Sequence, residues 1–252
     1  MKKLQLLLLM SLVYLIFMPI DFAYAAGEEV NLDTVSNPHQ EIVPDTVRDP
    51  HSKYNAKFSF GPGKHCTAVL ISSTAALTAR HCVGNKRKTN VGTIYPGASG
   101  SSTPFGYMNI STYIPHPNQD QFKKYDIALL KGTERDQDKF YKYYIGKFKT
   151  TVRGYTDQEL KGFEGSEAYS YGYPLKGSVL YQYRSDGKIN NYYETFKLIY
   201  TDLPAFGGQS GSGVFTKNSN FIGLLIERTG DNKAVVLPFT KEIADWINKN
   251  AN

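Results

Sequence analysis

The sequence predicts an all-β fold closed by one C-terminal helix, and three observations carry that prediction. Short apolar or alternating runs recur and stop at Gly, Pro or Asn. Composition favours strands and tight turns over a helical bundle, with 19 Tyr, 14 Phe and 22 Gly in 252 residues. Only the tail has helical spacing, since Ile243, Trp246 and Ile247 stand at i, i+3 and i+4 within 241–249, with Trp246 read as the core anchor.

Taken in order, 1–25 reads as a signal peptide: Lys2 and Lys3, an apolar run from Leu4 to Ile20, then Ala23-Tyr24-Ala25. Cleavage there implies a secreted chain with no stable membrane insertion afterwards. The polar stretch 26–41 has no apolar period and reads as a pro-segment or flexible arm ahead of a domain spanning 42–252. Strands are expected over 57–60, 66–71, 75–79, 92–95, 108–114 and 127–130. A polar, Lys/Tyr-rich interval at 132–165 reads as surface loops and an inter-domain boundary. Strands resume over 167–173, 179–184, 192–200, 213–215, 221–227 and 234–237. This many short strands in about 225 residues fits barrels or a sandwich.

The net charge of +6 is a mild excess, and no basic patch interleaved with aromatics points to nucleic acid. Cys66 and Cys82 are the only cysteines. In an exported chain such a pair reads as a disulfide rather than a zinc site, which needs more His or Cys nearby. No metal or other cofactor is expected.

Two distant segments carry chemistry: Thr78-Ala79-Arg80-His81-Cys82 and Gly207-Gly208-Gln209-Ser210-Gly211-Ser212-Gly213. A serine hydroxyl becomes a useful nucleophile when an imidazole takes its proton and backbone N–H groups receive the developing oxyanion. All five histidines (39, 51, 65, 81 and 116) precede Ser210. That order excludes the α/β-hydrolase arrangement, in which His follows Ser, and Ser212 also replaces the last Gly of a G-x-S-x-G elbow. Asp126, at the head of Ile127-Ala128-Leu129-Leu130, is the carboxylate with an apolar flank; Asp120 and Asp136 lack one. His65 and His116 read as surface residues.

The order His81, Asp126, Ser210 resembles that of chymotrypsin-like serine proteases. Thr78–Cys82 is similar to their T-A-x-H-C segment, and Asp126–Leu130 to their D-I-A-L-L segment. Gly208-Gln209-Ser210-Gly211-Ser212-Gly213 resembles the G-N-S-G-S-P of the bacterial glutamyl-endopeptidase branch, which includes exfoliative toxins and Spl-type proteases. The resemblance runs from about Ile42 to Trp246 and implies two six-stranded antiparallel β-barrels, trypsin-like, with a C-terminal α-helix. It implies a serine endopeptidase acting on protein or peptide substrates, expected as a monomer. His81 would be the base, Asp126 its orienter and Ser210 the nucleophile, with Gly208 and Ser210 as oxyanion donors.

Two departures follow. Gln209 stands where trypsin-like zymogens have the Asp that pairs with a freed N-terminus, so that activation route is not expected. Glutamyl endopeptidases receive a substrate carboxylate with a hydroxyl residue and a His; the matching positions are Ala205 and Leu225. Neither pairs an anion, so a hydrophobic or small P1 side chain is expected rather than Glu, with Glu227 at the entrance as a basic-P1 alternative. The competing reading is a protease-fold toxin or surface-binding protein with narrow or no turnover.

Overall fold

The computed structural model describes residues 38–118 and 123–251. The expected signal segment, the lead-in up to residue 37 and Asp120 lie outside the described residues.

Alternation along the early strands builds a first barrel. Strands β2 (Asn55–Gly61), β3 (Lys64–Ser72), β4 (Ala75–Thr78), β5 (Lys88–Pro96), β6 (Met108–Pro115) and β7 (Ala128–Lys131) close in the order β2-β3-β4-β7-β6-β5. Every second side chain points inward: Ala56 and Phe58, Ala68 and Leu70, Met108 and Ile110, Ala128 and Leu130 share one buried cluster. The intervening residues Val69, Ile71, Leu77, Ile127 and Leu129 are equally buried, but in the cluster of the second barrel. Residues that face a barrel interior on one side and a second barrel on the other read as unbroken apolar runs.

The second barrel comprises β8 (Glu167–Gly172), β9 (Tyr183–Tyr193), β10 (Leu198–Pro204), β11 (Gly213–Thr216), β12 (Phe221–Arg228) and β13 (Lys233–Pro238). They run β9-β10-β13-β12-β11-β8 and close through β8 on β9. A further strand, β1 (His39–Ile42), pairs antiparallel with β9, His39 opposite Asp186 and Ile42 opposite Tyr183. The two six-stranded barrels and the terminal helix are the fold class the sequence predicts.

Several details differ. β1 draws residues 39–41 of the expected lead-in into the sheet; main-chain pairing holds it, with no apolar alternation to announce it. The interval 132–165 contains two short helices, α1 (Lys139–Ile145) and α2 (Asp157–Gly162). Asp138 caps the first, and Thr156 with Glu159 forms a reciprocal capping box on the second. β9 begins at Tyr183, not 179. The run 192–200 is the end of β9, a turn with Lys197 at φ 51°, and the start of β10. That turn, Glu194-Thr195-Phe196-Lys197, contains no Gly, Pro or Asn.

The tail helix, α3 (Lys241–Asn250), is capped by Thr240. It buries Ile243, Ala244 and Ile247, while Trp246 is only half-buried. No helix among the described residues is long and apolar enough to cross a membrane.

Candidate active site

Strand β4 ends at Thr78, and the chain turns through a single 3-10 turn, Arg80–Cys82, that carries His81. Fully buried Tyr113 braces this turn from β6, its hydroxyl 2.9 Å from the Arg80 carbonyl and 2.6 Å from that of Gly84. Cys82 is joined to Cys66 on β3, so the residue after the imidazole is covalently tied to the barrel wall. The expected disulfide is therefore present.

Asp126 precedes β7 and its side chain is 3 % exposed. A buried carboxylate needs donors, and His81 supplies two. Its backbone N–H reaches Oδ1 at 2.8 Å and its Nδ1 lies 2.7 Å from Oδ2. Facing a carboxylate fixes the ring proton on Nδ1 and leaves Nε2 as an acceptor. Ser210 Oγ lies 2.9 Å from that Nε2. Residues separated by 129 positions thus form one hydrogen-bonded line in which the serine proton has a place to go. Ser212, the rival hydroxyl, is fully buried, with its Oγ packed close to Gly172.

Peptide-plane geometry around the serine is equally specific. The Gly207 carbonyl accepts from Leu175 N at 2.7 Å, and the Gln209 carbonyl from Ser212 N at 2.9 Å. Because each peptide is trans, the N–H groups of Gly208 and Ser210 point the opposite way. Among the described residues neither has a partner, whereas the N–H groups of Gln209, Gly211 and Ser212 all do. Two free donors beside a serine can receive an oxyanion. Gly208 sits at φ 93°, and a Cβ there would lie 2.4 Å from the Tyr173 carbonyl, so glycine is required.

Two networks hold this loop. Thr67, fully buried on β3, donates its N–H to the Ser210 carbonyl at 2.9 Å and its hydroxyl to the Gly208 carbonyl at 3.0 Å. Its Oγ1 also accepts from Tyr173 N at 3.1 Å. On the other side Gln209 is fully buried, its Oε1 accepting from Phe206 N at 2.8 Å and from Gln40 Nε2 at 3.2 Å. The same Gln40 amide reaches Ser185 Oγ at 2.7 Å and the Pro204 carbonyl at 3.1 Å. Gln40 belongs to β1, and nothing in the sequence links it to a serine 170 positions away.

Of the expected pocket residues, Ala205 and Leu225 are 0 % and 2 % exposed and belong to the apolar inter-barrel cluster. Neither carries a polar side-chain atom. Glu227 is exposed and already engaged, its carboxylate 2.9 Å from Lys123 Nζ.

Of the two histidines expected at the surface, His116 is buried and His65 is half-buried. His116 is 3 % exposed, stacked on Tyr125 with ring centroids 4.6 Å apart and tilted against Trp246 at 4.8 Å. Its Nδ1 accepts from Asn118 N–H at 3.2 Å. Burial pushes its pKa down, with Arg80 adding to that and Glu242 opposing it. His65 is half-buried and donates Nε2–H to the Tyr173 carbonyl at 3.0 Å. Burial lowers its pKa too, and Lys57 reinforces the shift. Contacts from Tyr125, Trp246 and Tyr173 bury these rings, and all three are remote in sequence or unremarkable in it.

Cys66, His81 and Cys82 also form a compact cluster of metal-ligating types. Both sulfurs are bonded to each other, so neither offers a thiolate.

A family model described as Trypsin matches residues 42–247. A glutamyl endopeptidase of Bacillus licheniformis is 29 % identical over 159 residues, 62 % of this chain and 46 % of that protein. An extracellular metalloprotease of Bacillus subtilis is 28 % identical over 193 residues, 74 % of this chain and 55 % of that protein. The chain thus spans about half the length of the curated relatives it matches. Among solved structures, a Glu endopeptidase in complex with MPD superimposes with TM-score 0.67 at 22 % identity, covering 84 % of this chain and 96 % of that one. The protease Anisep from Arthrobacter nicotinovorans gives TM-score 0.62 at 17 % identity, covering 84 % and 98 %.

Proposed function

The chain belongs to the trypsin family of chymotrypsin-like serine proteases, and from that premise we propose that it is a secreted serine endopeptidase working through an acyl-enzyme. One observation carries the reading: the line Asp126 Oδ2, His81 Nδ1, His81 Nε2, Ser210 Oγ, with spacings of 2.7 and 2.9 Å at its two hydrogen bonds.

Ser210 Oγ attacks the scissile carbonyl carbon while its proton passes to His81 Nε2. The carbonyl π-electrons move onto oxygen, where the N–H groups of Gly208 and Ser210 receive the charge. Collapse breaks the C–N bond, and the imidazolium returns its proton to the leaving amine. Water then repeats the sequence on the ester and frees the serine. Asp126 keeps the ring in the right tautomer and stabilises the imidazolium throughout.

The relatives named glutamyl endopeptidase raise the question of the P1 residue. With Ala205 and Leu225 in place of polar partners, a buried substrate carboxylate would be unpaired at a cost of several kcal/mol. The P1 side chain is therefore hydrophobic or small. Support of the serine loop by Gln40 on β1 favours a maturation cleavage ahead of His39 over one at the end of 26–41.

Labelling of secreted wild type by a fluorophosphonate, lost in Ser210→Ala and strongly reduced in His81→Ala, tests the assignment. An unlabelled mature protein would instead favour the binding-protein reading. Peptides differing only at P1 (Glu, Phe or Leu, Arg or Lys) test the pocket, and efficient cleavage after Glu alone would refute it.

A further inference from the structure

Beside Gly208, on the first-barrel side of the serine, a cavity of about 280 Å³ opens between the β2–β3 hairpin and the segment after β8. Lys57, Ser59, Lys64, His65, Leu175 and Ser178 line it. It adjoins the reacting centre directly. A Cβ on Gly208 would lie 2.5 Å from His65 Nε2, and Leu175 is the residue whose N–H holds the Gly207 carbonyl.

The charge of this cavity is lopsided. Lys57 is half-buried, and its Nζ contacts the ring of Tyr95 at 4.9 Å. Lys176, between two lining residues, lies 4.2 Å over the ring of Phe206. Among the described residues no carboxylate pairs with Lys57, Lys64 or Lys176, and no acidic side chain lines the cavity. Burial holds the ammonium groups of Lys57 and Lys176 below the usual lysine range, so both gain from an anion brought close.

The cavity also lies on a defined side of the scissile bond. The imidazolium of His81 returns its proton to the leaving amine, so that half of the substrate lies on the His81 side of Ser210. The leaving amine faces His81 and the Cys66–Cys82 bridge, and Cys66 directly follows His65.

We infer that this cavity is a leaving-group subsite that selects an Asp or Glu side chain at one of the first two residues after the cleaved bond. The inference rests on the protease reading and extends it from the acyl half of the substrate to the amine half. Here specificity comes from Lys57 and Lys64 on the β2–β3 hairpin. Acidic chains are favoured by direct attraction and basic ones are opposed by two unpaired cations.

The test uses internally quenched peptides with one acyl half and Asp/Glu, Ala or Lys at the first two leaving-group positions. The probes are cleaved by wild type, Lys57→Gln and Lys64→Gln, and fluorophosphonate labelling is measured in parallel. Wild type is expected to prefer the acidic series over the Ala series, each lysine contributing up to about fivefold in kcat/KM. The preference shrinks in either variant and with added salt, as a partly solvated charge contact must. Labelling and hydrolysis of a p-nitroanilide, which lacks the leaving-group residues, give for each protein the reference against which its acidic preference is normalised. Hydrolysis and labelling with no acidic preference, or a preference that survives both variants, overturn the subsite and leave the protease reading intact. Absence of both labelling and hydrolysis in wild type overturns the two together.

Discussion

The two barrels contribute to the candidate site by different means. The first supplies base and carboxylate, and fixes them with strong local devices. A disulfide stands one residue from His81, a buried tyrosine hydroxyl braces its turn, and two hydrogen bonds hold a buried carboxylate. The second supplies the serine and the oxyanion donors on a glycine loop with no covalent restraint. That loop is held by neutral amides and hydroxyls borrowed from elsewhere: Thr67 from the first barrel, Gln40 from the N-terminal strand, Ser185 from β9. A charged pair tolerates burial only with rigid partners, whereas a loop that must present free N–H groups has to be shaped by hydrogen bonds at its other face.

Four variants probe this asymmetry. The largest effect is expected from Asp126→Asn, which keeps the geometry and abolishes the charge; kcat should fall by about 10⁴-fold with little change in KM. A fall under tenfold would remove Asp126 from the chemistry. Next, replacing both Cys66 and Cys82 by Ala should cost about 3 kcal/mol of stability, a Tm lower by roughly 6–12 °C. Calorimetry that finds an unchanged Tm would mean that Tyr113 alone braces the turn. Gln40→Ala should act mainly on the rate, lowering kcat about tenfold by removing the amide that reaches Gln209, Ser185 and the Pro204 carbonyl, while Tm moves by only a few degrees. An unchanged kcat would detach β1 from the serine loop.

The smallest effect concerns His116. Burial lowers its folded pKa beneath the ordinary 6.5. Below pH 6.5 the unfolded chain therefore binds more protons, and stability falls as pH drops toward the folded value, while above 6.5 the contribution is constant. His51 and His65 are lowered by burial in the same sense. His116→Asn, which keeps an acceptor for Asn118 N–H but takes no proton, should flatten part of the Tm decline between pH 6.5 and 5, not all of it. An identical slope would show that His116 does not titrate there.

The same asymmetry explains what was legible in the sequence. Local devices leave local marks: His81 beside Cys82, Asp126 before an apolar run, and Ser210 among glycines were readable because each signals its own chemistry. The double-faced strands of the first barrel were readable as apolar runs. Gln40 was not, because its role depends on register with β9 and on a buried Gln209 far along the chain. His116 reads as a surface residue because Tyr125 and Trp246 enclose it only after folding. The hairpin between β9 and β10 was hidden by a turn without turn formers. The capping box at Thr156 and Glu159, by contrast, stood in the sequence as a signal for α2 within a segment read as loop.

Thr67 carries one further consequence. It reaches across from β3 to the carbonyls of two alternate residues of the serine loop, 208 and 210, and to the N–H of Tyr173 as well. The barrels are thereby riveted at the serine end, and they cannot part there without losing these bonds. On the protease reading, a substrate would have to reach Ser210 as an extended segment, because the surroundings of the serine do not yield. On that reading a folded target would have to offer a loop that unbends locally, so its susceptibility should track how readily its loops straighten as well as which residues they contain.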